Sequence, residues 1–145
     1  MATTVLVDSA PANFLEIIRT SGHVLQVDEP ESAGGMNAGA SPYELLLGAL
    51  GACKAITLRM YAARKGWPLE AVHVSLNHER RHADDCLTCQ DAAAQIDYIG
   101  VRIELVGTEL TDAQRKTLLA IAEKCPVHRT LAGRLQIRTE GADSN

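Results

Sequence analysis

The stretch SPYELLLGALGACKAITLRMYAARKGWP, from Ser41 to Pro68, limits the possible folds more than any other part of the chain. Ser41 can act as N-cap, Pro42 suits a first turn where a backbone N–H has no partner to lose, and Glu44 completes a capping box with Ser41. Gly66, Trp67 and Pro68 supply the stop. The spacing predicts one helix over 42–65, about 36 Å long, close to the width of a domain of this size, so it must cross the core. Its first half, LLLGALGAC, is apolar on every side instead of along one stripe, which marks a helix covered all round. One sheet cannot cover both faces. The small residues Gly48, Ala49, Gly51 and Ala52 would let another backbone approach closely, so a second helix is expected there, and with it a second subunit.

The flanking sequence supplies the sheets. TTVLVD and FLEIIRT (14–20) are rich in branched residues and read as strands, with Ser21 and Gly22 turning the chain back into HVLQVDE. ESAGGMNAGA, 31–40, is too glycine-rich for a regular element and reads as a flexible loop. After Pro68, Val72, Val74 and Leu76 alternate with His73, Ser75 and Asn77, and Val101, Ile103 and Leu105 repeat the pattern, as expected of one-sided antiparallel strands. A capping box at Thr111 and Gln114 opens another helix, on which Leu118, Ile121, Ala122 and Cys125 recur at helical spacing. Pro126 breaks it at Cys125, VHRTLAG reads as a short further turn, and LQIRTE as a final strand. At 145 residues, with 46% hydrophobic and 22% charged side chains, the chain is expected to form one globular domain over 1–140 with a disordered tail at 141–145.

A net charge of −4 with scattered cations argues against nucleic acid or an anionic membrane as partner. MATTVLVDSAPANF has no basic region ahead of its short apolar stretch, and no uncharged apolar run reaches the ~18 residues of a membrane span, so a cytoplasmic protein is expected. In that compartment Cys53, Cys86, Cys89 and Cys125 are better read as catalytic, redox-active or metal-binding than as a disulfide frame. Cys53 and Cys125 both face apolar surroundings on helices that can pack together, so the two sulfurs can meet.

GGMNAGASPYELLLGALGACKAITL and AEKCPVHRTL resemble the two cysteine motifs of the OsmC/Ohr family of thiol-dependent organic hydroperoxide reductases, and the order of elements agrees over almost the whole chain. The resemblance implies an α+β fold with two central helices wrapped by antiparallel sheets in an intertwined homodimer, which would explain the all-round apolar helix. It also implies Cys53 as peroxidatic thiol, Cys125 as resolving thiol, an organic hydroperoxide as substrate, an external dithiol as reductant and an antioxidant role in oxidative stress. No cofactor is implied.

Such a Cys53 must ionise in an apolar site that opposes it, and moving a thiol from a pKa near 8.5 to about 6.5 takes roughly 2.7 kcal/mol. The family draws this from an arginine of the early strands, here Arg19 by resemblance. Lys54 follows Cys53 but points ~100° away around the helix and is expected to reach solvent. The best-studied reductases pair the arginine with a glutamate ten residues before the reactive cysteine. This chain has Tyr43 there. Glu44, one place later, lies on the opposite helix face from Cys53 and fits better as the partner of Ser41, while His128 can bond within the site or cap the broken helix. Tyr43, Glu44 and His128 are therefore candidates for a supporting role.

His78, His82, Cys86 and Cys89 form H-x3-H-x3-C-x2-C in a long polar connection. These residue types suit zinc, although the spacing is shorter than in ordinary Cys2His2 sites. A CxxC redox pair and a polar loop with two incidental thiols remain open, the last being preferred. The alternative to a peroxidase is a non-catalytic redox-sensing or metal-binding protein that uses this loop.

Overall fold

The computed structural model describes residues 3–82 and 95–142. Along the chain run β1 (Leu6–Ser9), β2 (Glu16–Arg19), β3 (Val24–Val27), α1 (Pro42–Lys65), β4 (Ala71–His82), β5 (Gln95–Val106), α2 (Asp112–Ala122) and α3 (Pro126–Ala132). The chain divides into two compact units, one of Met1–Gly48 with His78–Tyr98 and the other of Ala49–Asn77 with Ile99–Asn145.

In the first unit β1, β2 and β3 form an antiparallel sheet in that order, with Leu6 opposite Arg19 and Arg19 opposite Val24. The β2–β3 turn is where Ser21 and Gly22 place it, and Gly22 has the positive φ of 93° that favours glycine. The loop after β3 is more ordered than its glycine content suggests. It holds a single 3-10 turn at Glu31–Ala33, and Asp28, buried at its base, accepts N–H bonds from Glu29, Met36 and Ala38 at 2.8, 3.0 and 3.1 Å. Burial raises the Asp28 pKa, but the three donors outweigh it and hold the carboxyl below its ordinary 3.8.

α1 begins as its sequence prescribes. The Glu44 N–H donates to Ser41 Oγ at 3.4 Å, and the Ser41 N–H donates to Glu44 Oε2 at 2.7 Å. At its other end Gly66 takes φ 65°, and the Gly66 and Trp67 N–H groups bond back to Ala63 and Ala62 at 3.1 and 2.9 Å, a Schellman ending.

In the second unit Leu58, Ala62, Leu105, Leu110, Leu118 and Ala122 form the buried core, with Tyr61, Trp67, Leu69, Val72, Ile103 and Ile121 packed against it. Each buried leucine contributes about 1.5–3 kcal/mol. A second helix, α2 of the same chain, packs on α1 through Leu58 and Ala62, beyond the small residues 48–52 at which it was expected. Gly51 is needed for close approach, but to β4: a Cβ there would lie 2.7 Å from Leu76 Cδ1. β4 and β5 pair in a two-stranded sheet, with the Glu70 N–H bonded to Val106 O at 2.8 Å just beyond its end. Arg115 ties α2 to the end of β5, donating to the carbonyls of Leu105 and Gly107, each at 2.6 Å. The Thr111–Gln114 capping box opens α2 and Pro126 opens α3.

One predicted element is missing. Residues 134–142, including LQIRTE, form no strand, and Ile137 is 84% exposed. The alternating pattern supplies a strand's faces but not a partner, and without ladder hydrogen bonds an extended segment is not a strand. Residues 143–145 of the expected tail lie outside the described residues.

Candidate active site

The core-facing stripe of α1 is Leu50, Gly51, Lys54, Leu58 and Ala62. A lysine therefore occupies a position that helical spacing reserves for the interior. This corrects the expectation that Lys54 reaches solvent: its residue is 1% exposed. A rotation of ~100° from Cys53 does carry Lys54 to a different face, but that face meets the core. The missed signal is the four-residue recurrence 50, 54, 58, 62, in which Lys54 stands between two leucines and an alanine.

A buried ammonium persists only if its donors are satisfied. Lys54 Nζ donates to the Ala122 carbonyl at 2.9 Å and to Glu123 Oε1 at 3.3 Å, and lies 2.8 Å from His128 Nδ1. Lysine cannot accept a hydrogen bond, so Nδ1 must be the acceptor. The proton of the neutral ring then sits on Nε2, which faces Glu123 Oε2 at 3.5 Å. Lys54, Glu123 and His128 thus close a ring of contacts. Among the described residues no buried side-chain nitrogen or oxygen lacks a partner.

Cys125 lies between these partners. Its backbone is extended at the N-cap of α3, its side chain is fully buried, and Sγ accepts the His128 N–H at 3.3 Å. Cys53, partly buried on α1, is near enough to act on the Cys125 thiol, and both thiols are free. Burial is the largest cause raising the Cys125 thiol above its ordinary 9.0. The His128 N–H opposes that rise, the hydrogen bond and charge of Cys53 add to it, and the Lys54 charge opposes it. The arrangement is a reduced dithiol, one sulfur partly accessible and one enclosed, with a buried cation alongside.

The other candidates lie in the first unit. Arg19, at the end of β2, pairs with Asp8 at 3.5 Å with both side chains exposed. Glu44 is held by Ser41, whose N–H and hydroxyl lower its pKa. Tyr43 stacks on His78 with ring centroids 4.4 Å apart, and His78 Nε2 lies 2.8 Å from Asp97 Oδ1. That hydrogen bond leads the causes lowering the Asp97 pKa. His78 thus has one ring nitrogen engaged by a carboxylate. Cys86 and Cys89 lie outside the described residues, as does the side chain of His82. Among the described residues no cluster of three or more His, Cys, Asp or Glu is arranged to hold a metal.

An α+β chain with antiparallel sheets and a cysteine pair between helices defines the class of protein to be sought. The family profile described as OsmC-like protein matches residues 34–140, and the chain belongs to that family. Its fold is similar to that of an OsmC-like protein from Mycoplasma pneumoniae, with TM-score 0.72 and 16% identity over 92% of this chain and 89% of that one. An organic hydroperoxide resistance protein from Legionella pneumophila gives TM-score 0.64 and 18% identity, covering 93% and 92%. Another from Elizabethkingia anophelis gives 0.65 and 14%, covering 94% and 91%. No curated protein matches the chain.

Proposed function

We propose that the chain is a thiol-dependent peroxidase that reduces organic hydroperoxides to alcohols. The reading is carried by the nearness of the free Cys53 and Cys125 side chains. The Cys53 thiolate attacks the distal peroxide oxygen, the O–O bond breaks, and the alkoxide takes up a proton to leave as alcohol. Cys125 then attacks the sulfur of the Cys53 sulfenic acid, forming the disulfide as the S–O bond breaks and water leaves. An external dithiol restores both thiols by exchange. Two structural neighbours named as organic hydroperoxide resistance proteins support this substrate class.

Arg19 is the cation that activates Cys53. Its exposed pair with Asp8 is worth only about 0–1 kcal/mol, so little opposes its engagement elsewhere. The protein works as a cytoplasmic homodimer. Leu46, Ile56 and Met60 on α1 are exposed in the single chain, Met60 by 61%, and a second copy would cover them. α1 is long and apolar enough to cross a membrane by length and composition alone. Its buried and fully bonded Lys54 fits a core helix instead. A monodisperse monomer in sedimentation at micromolar concentration would count against the dimer.

Counting free thiols before and after one equivalent of cumene hydroperoxide, with peptide mapping, tests the reaction. Cys53 and Cys125 should disappear together, and Cys53→Ser should abolish turnover with dithiol. Slow loss spread over all four cysteines would refute the proposal.

A further inference from the structure

We propose that Lys54 is a positioning residue for the disulfide-closing step, gripping the chain on both sides of Cys125 so that its sulfur stays against Cys53. The inference rests on the peroxidase reading above. Lys54 directly follows Cys53 on α1. Its partners Ala122 and Glu123 lie just before Cys125, and His128 lies just after it. One ammonium therefore joins the helix that carries the first thiol to both helices that flank the second.

The junction needs such a hold. Pro126 ends helical geometry at Cys125, so no continuous helix fixes the direction of its sulfur. At 1% exposure the ammonium meets little competing water, and it cannot swing outward without giving up three acceptors. Closure forms the Cys125–Cys53 S–S bond and breaks the S–O bond of the sulfenic acid. The departing hydroxide takes the proton given up by the Cys125 thiol and leaves as water. No further oxidant is consumed.

Charge acts in the same direction. The groups facing Cys125 are Cys53 and Lys54 from α1 and the His128 N–H from α3, while Glu123 partly offsets Lys54. Burial and Cys53 resist formation of the attacking thiolate, and Lys54 and the His128 N–H favour it.

Lys54→Met in the full chain tests this under rapid mixing with cumene hydroperoxide, read by dimedone trapping and peptide mass. Oxidation of Cys53, first order in peroxide, should stay within about twofold of wild type, whereas the peroxide-independent closure should slow by about tenfold or more, as a misplaced reacting group predicts. Cys53 sulfinic acid should accumulate under excess peroxide, and the pH profile of closure should move to higher pH. Lys54→Arg should restore the profile in part. His128→Phe, at a half-buried position, removes one acceptor and should slow closure in the same direction even if Lys54→Met fails to fold. Unchanged closure in the folded variants overturns the inference. If wild-type Cys53 forms no sulfenic acid, the peroxidase reading fails by itself. The same variants are then mixed with diamide, which takes up two thiol hydrogens to become a hydrazine, and slower Cys53–Cys125 bridging supports the role while unchanged bridging overturns it.

Discussion

Asp28 and Lys54 are the buried charged side chains among the described residues, each 1% exposed, and they satisfy their charges in opposite ways. Asp28 finds its three donors within its own loop, at Glu29, Met36 and Ala38. Lys54 finds its acceptors far along the chain, at Ala122, Glu123 and His128. The aspartate thereby organises a short connection, and its loss should be felt locally. The lysine couples two helices to a third, and its loss should be felt at the cysteine pair. A buried charge is costly wherever it lies, so the reach of its partners indicates which part of the molecule it organises.

The sharpest way to break this contrast is to disturb each region without touching its charge. A Cβ on Gly35 would stand 1.9 Å from the Glu29 carbonyl oxygen and 2.8 Å from Asp28 Oδ1. Backbone cannot yield there without opening the Asp28 loop, so Gly35→Ala should destabilise by about 3 kcal/mol or more in denaturant unfolding. Gly51→Ala meets only the flexible end of Leu76, at 2.7 Å, and should cost about 1–2 kcal/mol. If Gly35→Ala is as stable as wild type, the loop is not the rigid element that Asp28 implies.

The same contrast separates what the sequence made legible from what it hid. Both ends of α1, both capping boxes and the break at Cys125 follow from residues within a few positions of each other, and all appear where expected. The Asp28 clasp depends on contacts only slightly longer, but aspartate before a glycine-rich run reads equally well as an exposed turn residue. Lys54 departs from expectation because its ~100° turn from Cys53 says only that it leaves that face, while its place in the stripe Leu50–Leu58–Ala62 says that the face it reaches is core. LQIRTE failed for a related reason: alternation gives a strand's faces, while its partner comes from elsewhere. The cysteine pair was legible because two motifs of one family each fix a sulfur, but nothing local could reveal the ring of Lys54, Glu123 and His128.

A smaller effect is expected from removing the long-range charge alone. Lys54→Met keeps most of the buried volume and removes an ammonium that is costly to bury, but leaves the Ala122 carbonyl and His128 Nδ1 without their donor. An unmade buried hydrogen bond costs about 1–3 kcal/mol and the relieved charge offsets part of it, so the net loss should fall near 1–2 kcal/mol. Urea unfolding monitored at Trp67, which packs on the unit's core, would measure it. A loss above that range would mean that the ammonium supports the core itself, beyond the Cys125 junction.

The smallest effect separates the two regions by pH. Asp28 has a lowered folded pKa, so its contribution is present above its unfolded value of 3.8 and is lost as pH falls through the folded one. Glu44 is lowered as well, and the first turn of α1 should weaken on the same acid side. Cys125 has a raised folded pKa, so its contribution is complete below 9.0 and is lost as pH rises through the folded value. Hydrogen exchange resolved by peptide should therefore show 29–40 losing protection first below pH 3.8, and 118–129 losing it first above pH 9, once the intrinsic pH dependence of exchange is removed. Alkylation of Cys125 should lag that of an unfolded thiol until the pH is well above 9.0. Parallel loss of protection in both segments at each extreme would mean that the two buried charges serve a single cooperative structure, and the distinction between local clasp and long-range staple would then be one of sequence separation only.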